Sequence, residues 1–166
     1  MSADFDSLVK EAAQLLGACR SRGLKIATVE SCTGGLIAAI LTEVPGASDV
    51  FERGFVTYSN EAKTEQVGVP AELIAKHGAV SEEVARAMAA GALKHSRADI
   101  AVAVTGVAGP GGGTAAKPIG LVHLAAARRR EAPEHKEIRL GDIGRGRIRL
   151  ETVRQAFAMV RVHAPS

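Results

Sequence analysis

The sequence has no tryptophan, one tyrosine and four phenylalanines, which leaves almost nothing from which to build the base-stacking platforms of RNA-recognition or single-strand-binding folds. A basic surplus is missing too. Its 21 Lys and Arg against 18 Asp and Glu give a net charge of +3, too small to mark the face of a nucleic-acid binder. Two cysteines, Cys19 and Cys32, are too few for a disulfide framework or a four-ligand zinc site, and nothing implies a metal or another cofactor. No apolar run approaches the roughly 20 residues that cross a bilayer. The opening MSADFDSLVKEAAQ is amphipathic and acidic rather than a basic-then-apolar secretory signal. These absences lead to the expectation of a cytoplasmic protein that engages neither nucleic acid nor membrane.

What is there is the composition of an ordinary folded chain: 166 residues, 46% hydrophobic and 23% charged, with 18 glycines. That is enough for one domain, residues 1–166, with a substantial core. Leu8, Val9, Ala12, Ala13, Leu15 and Leu16 fall at helical spacing within 6–22, and Gly23 stops that helix. LKIATV (24–29) reads as a strand, ESCTGG (30–35) as a glycine turn, and LIAAILTEV as a helix ending at Pro45. A second strand is expected over 50–58, followed by helix-prone NEAKTEQV and a helical turn around PAELIAKHG. Ser81, with Glu82 and Glu83 behind it, caps a helix over 82–95. DIAVAVT (99–105) is apolar enough to be a strand covered on both faces, and 106–114 is too glycine-rich to be anything but loop. Strands over 119–127 and 135–140 follow, the second alternating like an edge strand, and an arginine-rich helix over 145–163 turns Ile148, Val153, Phe157 and Val160 to the core. Helices alternating with strands predict an α/β fold, a mixed sheet of about five strands covered by helices on both faces.

Ligands of such sheets gather at the carboxyl ends of strands. Three segments fall there: ESCTGG (30–35), TYSNEAK (57–63) and TGVAGPGGGT (105–114). Ser31 lies on a strand-to-helix turn, where the N–H groups of Thr33, Gly34 and Gly35 and the helix dipole can stabilise an oxyanion or hold a phosphate. It is a candidate nucleophile, and equally a candidate helix N-cap. A serine nucleophile needs a base. None of His77, His95, His123, His135 and His163 lies in the three segments, so a Ser-His-Asp triad has no support. Lys63 remains, since a desolvated lysine can lose its proton near neutrality; the alternative is a solvated helix lysine. Tyr58 is placed to relay a proton or orient the lysine, or simply to pack. Cys32 is a competing nucleophile, because thiolates are activated at helix starts, while Cys19 sits among apolar neighbours as core. The glycine loop lacks the Lys-Ser or Lys-Thr ending of a Walker motif. Arg145, Arg147, Arg149 and Arg154 either grip a phosphate or form a solvated face, and Arg128–Arg130 read as a solvated turn.

Taken together, ATVESCTGGLIAAILTEVPGAS, GFVTYSNEAKTEQVGV, HGAVSEEVARAMA, VAVTGVAGPGGGTAAKPIGLV and RIRLETV resemble the CinA C-terminal domain family, also known as the PncC or nicotinamide-nucleotide amidohydrolase family, over roughly residues 24–157. The resemblance implies deamidation of nicotinamide mononucleotide, a small-molecule substrate, to nicotinic acid mononucleotide and ammonia, a pyridine-nucleotide salvage step. It places the family's serine nucleophile on Ser31, its lysine on Lys63 and its active-site tyrosine on Tyr58. Cys32, Thr33, Gly34, Gly35, Thr105 and Gly106 would border the substrate, with Arg145 as the family's arginine. A homodimer is implied as well. The chain departs from the family's pattern at Gly141-Asp142, which Ile143-Gly144 separate from Arg145, where an arginine commonly follows directly. The alternative function is a non-catalytic nucleotide-binding module linked to competence or the DNA-damage response.

Overall fold

The structure is a computed structural model that describes residues 2–165. Among these residues are six α-helices and five strands in one mixed sheet: α1 (Ala3–Ser21), β1 (Ile26–Glu30), α2 (Leu36–Thr42), β2 (Phe51–Val56), α3 (Asn60–Val67), α4 (Ala71–His77), α5 (Glu82–Lys94), β3 (Ile100–Gly106), β4 (Leu121–Arg128), β5 (Glu134–Arg139) and α6 (Arg145–His163). The strand order is β2-β1-β3-β4-β5. The strand β1 is parallel to both β2 and β3, whereas β4 and β5 add on antiparallel. Three strands therefore end on the same edge of the sheet. From β1 the chain passes to β2 on one side, then through α3, α4 and α5 to β3 on the other side, so the carboxyl end of β1 is the point at which the connections diverge.

The expected α/β architecture is the one observed. On one face, Ile100, Val102 and Val104 of β3 meet Leu8, Leu15 and Leu16 of α1, Ile37 and Ile40 of α2, and Val153, Phe157 and Val160 of α6. On the other, Ala101, Ala103, Ala125 and Ala127 face Val84, Ala85, Met88, Ala89 and Ala92 of α5. The alternation of branched residues and alanines along β3 thus makes one face thick and the other thin, and α5 sits close over the alanines. Gly91 carries this close approach to the next helix, since a Cβ there would overlap the Val67 carbonyl.

Two boundaries shift for local reasons. The helix α1 begins at Ala3, before the predicted start, because the Ser2 side chain accepts from the Phe5 N–H at 3.3 Å. The strand β2 ends at Val56, and Thr57 pairs by one further bond to the Glu30 carbonyl at 2.9 Å before the chain turns into α3. In the 128–130 turn Arg129 and Arg130 are exposed, as expected, but two of its arginines also bond to backbone. Arg129 donates to the carbonyls of Leu93, Ser96 and Ala98 at 2.9, 3.2 and 2.6 Å, and Arg128 to that of His163 at 3.3 Å. Leu93 lies in the last turn of α5, where carbonyls lack intrahelical partners, and Ser96 and Ala98 lie in the segment after it; the guanidinium fork bonds all three at once.

Candidate active site

The three segments converge at the carboxyl ends of β1, β2 and β3. Ser31 follows β1 directly, its N–H held by the Val104 carbonyl at 3.0 Å. Lys63 lies in the first turn of α3, a helix started by the Ser59 side chain, which accepts from the Ala62 N–H at 3.0 Å. Side chains on a helix lean toward its N-terminus, and Lys63 runs back to the β2 end, where Nζ lies 3.2 Å from Ser31 Oγ. Ser31 keeps 9% of its surface and Lys63 only 1%, so the amine stands behind the hydroxyl rather than beside it in solvent.

What surrounds that amine decides its chemistry. Nζ is 2.8 Å from the Thr57 carbonyl oxygen, 3.4 Å from that of Ser59 and 3.5 Å from that of Tyr58. Among the described residues no carboxylate lies within 4.0 Å of it. Burial holds its pKa below the usual lysine range, with a smaller opposing pull from Cys32. A neutral amine has two N–H donors and one lone pair. The carbonyls can only accept, so once they take the N–H groups the lone pair is left for the one neighbour that can donate, the Ser31 hydroxyl.

The turn after Ser31 is built differently from the sequence expectation. Ser31 is not the cap of α2; Gly35 occupies the N-cap position, with no side-chain cap. The carboxylate of Glu30 does that work, accepting from Thr33 Oγ1 at 2.6 Å and from the N–H groups of Ile37 and Ala38 at 2.9 and 3.1 Å. A helix N-terminus already holding a carboxylate is not open to a second anion, so the phosphate cradle expected there is filled by the protein itself. Gly34 is committed as well, its N–H bonded to the Ser31 carbonyl at 3.0 Å. Of the three expected oxyanion donors, Thr33 and Gly35 keep an N–H without an acceptor among the described residues. Positive φ at Gly34 (58°) and Gly35 (99°) makes the turn possible.

Cys32 is set apart from Ser31 by its burial. It is buried in the core, and burial pushes its thiol up to about 12, far from the thiolate a nucleophile needs. Thr105 donates its hydroxyl to the Ala79 carbonyl at 2.9 Å, which pins the segment before α5 against β3. Gly106 is required by β4: a Cβ there would lie 2.8 Å from Val122 Cγ2 and 2.9 Å from the Leu121 carbonyl. Tyr58 is 60% exposed, and its phenol oxygen is 3.1 Å from Arg145 Nη2. Lys63 and Ser31 meet directly, so the phenol stands at the mouth rather than between them. Arg145 also donates to the Gly109 carbonyl at 2.8 Å, and thereby reaches the site despite the two residues that precede it after Gly141-Asp142.

Two participants escaped the sequence reading. Glu30 lies inside the ESCTGG block, yet no spacing rule marks a strand-end glutamate as the cap of a helix six residues later. Arg149 was one of four arginines on α6 read alike. It alone donates to the turn, through Nε to the Cys32 carbonyl at 3.2 Å and Nη2 to that of Thr33 at 2.9 Å. The histidines lie elsewhere: His77 is near Glu83, His95 bonds the Gly91 carbonyl and His123 bonds His135, while His163 has Glu131 and Glu134 at 3.9 and 3.8 Å and no hydrogen-bond partner for its buried Nε2 among the described residues.

Comparison with known proteins places the chain in one family. The family model described as the CinA C-terminal domain matches residues 8–163. The chain is 50% identical over 139 residues to the nicotinamide-nucleotide amidohydrolase PncC of Escherichia coli K12, covering 82% of this chain and 84% of that protein. It is 61% identical over 108 residues to a CinA-like protein of Chloroherpeton thalassium, covering 65% of this chain and 26% of that protein. Relatives of this longer kind recur, and the chain spans little more than a quarter of their length. The crystal structure of the competence/damage inducible protein CihA from Agrobacterium tumefaciens superposes with a TM-score of 0.93 at 51% identity, covering 98% of this chain and 96% of that one.

Proposed function

The chain belongs to the CinA C-terminal domain family, and from that premise we propose that it hydrolyses the carboxamide of nicotinamide mononucleotide to nicotinic acid mononucleotide and ammonia. The observation that carries this reading is the Ser31 hydroxyl 3.2 Å from a buried lysine amine that has carbonyl neighbours and, among the described residues, no carboxylate within 4.0 Å. Support for the substrate comes from the PncC relative, half of whose aligned residues are identical.

The reaction runs in two halves. Neutral Lys63 takes the proton of Ser31 as Oγ attacks the carboxamide carbon, and the oxyanion is met by the free N–H groups of Thr33 and Gly35. The tetrahedral intermediate collapses as the lysine returns that proton to the departing nitrogen. Ammonia leaves and an acyl-serine ester remains. Water then gives a proton to Lys63 as it attacks the ester, and the same proton restores the Ser31 hydroxyl as the acid departs. One oxyanion donor of this kind is worth about 3 to 4 kcal/mol of barrier, comparable to the base itself.

With the start of α2 occupied by Glu30, the substrate phosphate falls to Arg145, and exposed Tyr58 forms part of the wall beside it. The family reading carries with it a homodimeric cytoplasmic enzyme of pyridine-nucleotide salvage whose partner is a small nucleotide and not nucleic acid. Residues 1–166 act as one catalytic unit. Ammonia release from nicotinamide mononucleotide, assayed with the wild type and Ser31→Ala, tests the activity. The wild type turns over, the variant folds and does not, and mass spectrometry of the quenched wild type finds nicotinic acid mononucleotide in ester linkage, its ribose phosphate retained, on the peptide containing Ser31. A wild type that binds the nucleotide without releasing ammonia is instead a binding module.

A further inference from the structure

We propose that Arg149 is a positioning residue for acyl transfer, which acts through the Cys32–Thr33 peptide to aim and strengthen the Thr33 N–H as an oxyanion donor. The inference rests on the reading of Ser31 as nucleophile. Arg149 lies on α6 beside buried Ile148, and unlike Arg154, which is paired with Glu11 and Glu151, it has no carboxylate within 4.0 Å among the described residues. Its hydrogen bonds go to two successive carbonyls of one turn, those of Cys32 and Thr33.

Each carbonyl belongs to a planar trans peptide whose N–H points the opposite way. Drawing the Cys32 oxygen toward α6 therefore turns the Thr33 N–H away from α6, and drawing the Thr33 oxygen does the same for the Gly34 N–H. The second of these N–H groups closes the turn onto the Ser31 carbonyl at 3.0 Å; the first has no acceptor among the described residues. Hydrogen bonds to a full charge are about twice as strong as neutral ones, and a cation on the carbonyl polarises the peptide so that its N–H donates more strongly. From the other side, Glu30 fixes the Thr33 hydroxyl at 2.6 Å. The turn is thus held between an anion on its side chain and a cation on its backbone; the Thr33 carbonyl also accepts from the Leu36 N–H at 3.1 Å, so the freedom that Arg149 itself removes is chiefly the tilt of the Cys32–Thr33 peptide plane.

The test uses Arg149→Met and Arg149→Lys with two probes: nicotinamide mononucleotide, and a fluorophosphonate, whose phosphorus is attacked by Ser31 Oγ with loss of fluoride and which needs no recognition of the nucleotide. Displacing an oxyanion donor by about an ångström costs on the order of 100-fold in rate. The Met variant is therefore expected to lose about 10- to 100-fold in kcat with KM within about threefold, and to lose a similar factor in phosphonylation rate. The Lys variant, with one point charge for two carbonyls, falls between it and the wild type in both. An unchanged kcat overturns the proposal. So does a raised KM with kcat retained, which would make Arg149 a substrate anchor, or an unchanged phosphonylation rate beside a lowered kcat. Should the Met variant fail to unfold cooperatively in circular dichroism, the Lys variant decides, and wild-type rates there reject the clamp. A wild type labelled at Ser31 that releases no ammonia removes the proposed substrate while the labelling rates still judge Arg149; a wild type inert to both removes both.

Discussion

Two corners of the same sheet bury titratable nitrogen, and they surround it with different partners. At the parallel end, Lys63 is enclosed by the carbonyls of Thr57, Tyr58 and Ser59 and faces a serine hydroxyl. At the antiparallel end, His123 and His135 stack with their ring nitrogens 2.9 Å apart, and each has a glutamate near: Glu137 at 3.8 Å from His123 and Glu82 at 3.7 Å from His135. Carbonyls satisfy N–H donors without supplying the negative charge that would hold a proton on the nitrogen. Carboxylates do supply it, and Glu82 is itself paired with Arg86 at 2.9 Å. The first arrangement suits the base and nucleophile of the proposed reaction; the second is a compensated polar joint between β4, β5 and α5.

The comparison breaks most visibly at Lys63. Lys63→Met keeps the length of the side chain and removes the lone pair, and kcat for ammonia release should fall by about 1000-fold or more, the upper range for a general base. Steady-state kinetics with a circular dichroism control measure it. The sharpest stability effect should come from Gly91→Ala. Its methyl would meet the Val67 carbonyl at the end of the helix that carries Lys63, and about 3 kcal/mol is expected to be lost in denaturant unfolding, since neither backbone can yield easily. Glu30→Gln should follow, at about 1 to 3 kcal/mol. The amide that replaces one carboxylate oxygen presents N–H groups to donors that need an acceptor, so kcat should drop with stability. The smallest effect belongs to the histidine corner. Burial, with the charge of His135 second, holds the His123 pKa below the usual histidine range. The unfolded chain therefore takes up the proton first. The contribution of His123 is fully present above about pH 6.5 and is lost as pH falls through its folded pKa. A His123→Gln variant should show a flatter dependence of Tm on pH between 7 and 5 than the wild type.

Much of this organisation was legible in the sequence. The near-continuous apolar run IAVAVT announced a doubly covered strand, and Ser81 with Glu82 and Glu83 announced a helix start, because both are local patterns of side chains along the backbone. Ser31, Tyr58, Lys63, Thr105 and Arg145 were singled out by their segments and by the family resemblance, and the fold brings Lys63 to Ser31 and Arg145 to Tyr58. What the residues could not tell was which polar groups are already spoken for. The Glu30 carboxylate fills the helix start that looked ready for a phosphate, and the Gly34 N–H closes a turn that looked open. Arg149 was indistinguishable from Arg147 until α6 was laid against the turn, because its partners lie more than a hundred residues away in the chain. Long-range hydrogen bonding is set by packing, and no spacing rule within one helix encodes it.

The central claim is that the Lys63 amine is unprotonated when it meets Ser31. The direct measurement is the titration of Lys63 by the 13Cε chemical shift of labelled lysine, assigned by comparison with Lys63→Met and set beside the acid limb of the pH dependence of kcat/KM. The account requires Lys63 to titrate well below the exposed lysines, and the rate to fall on that same curve as pH is lowered. A Lys63 that titrates together with the exposed lysines, while ammonia is released at full rate near neutrality, would contradict it.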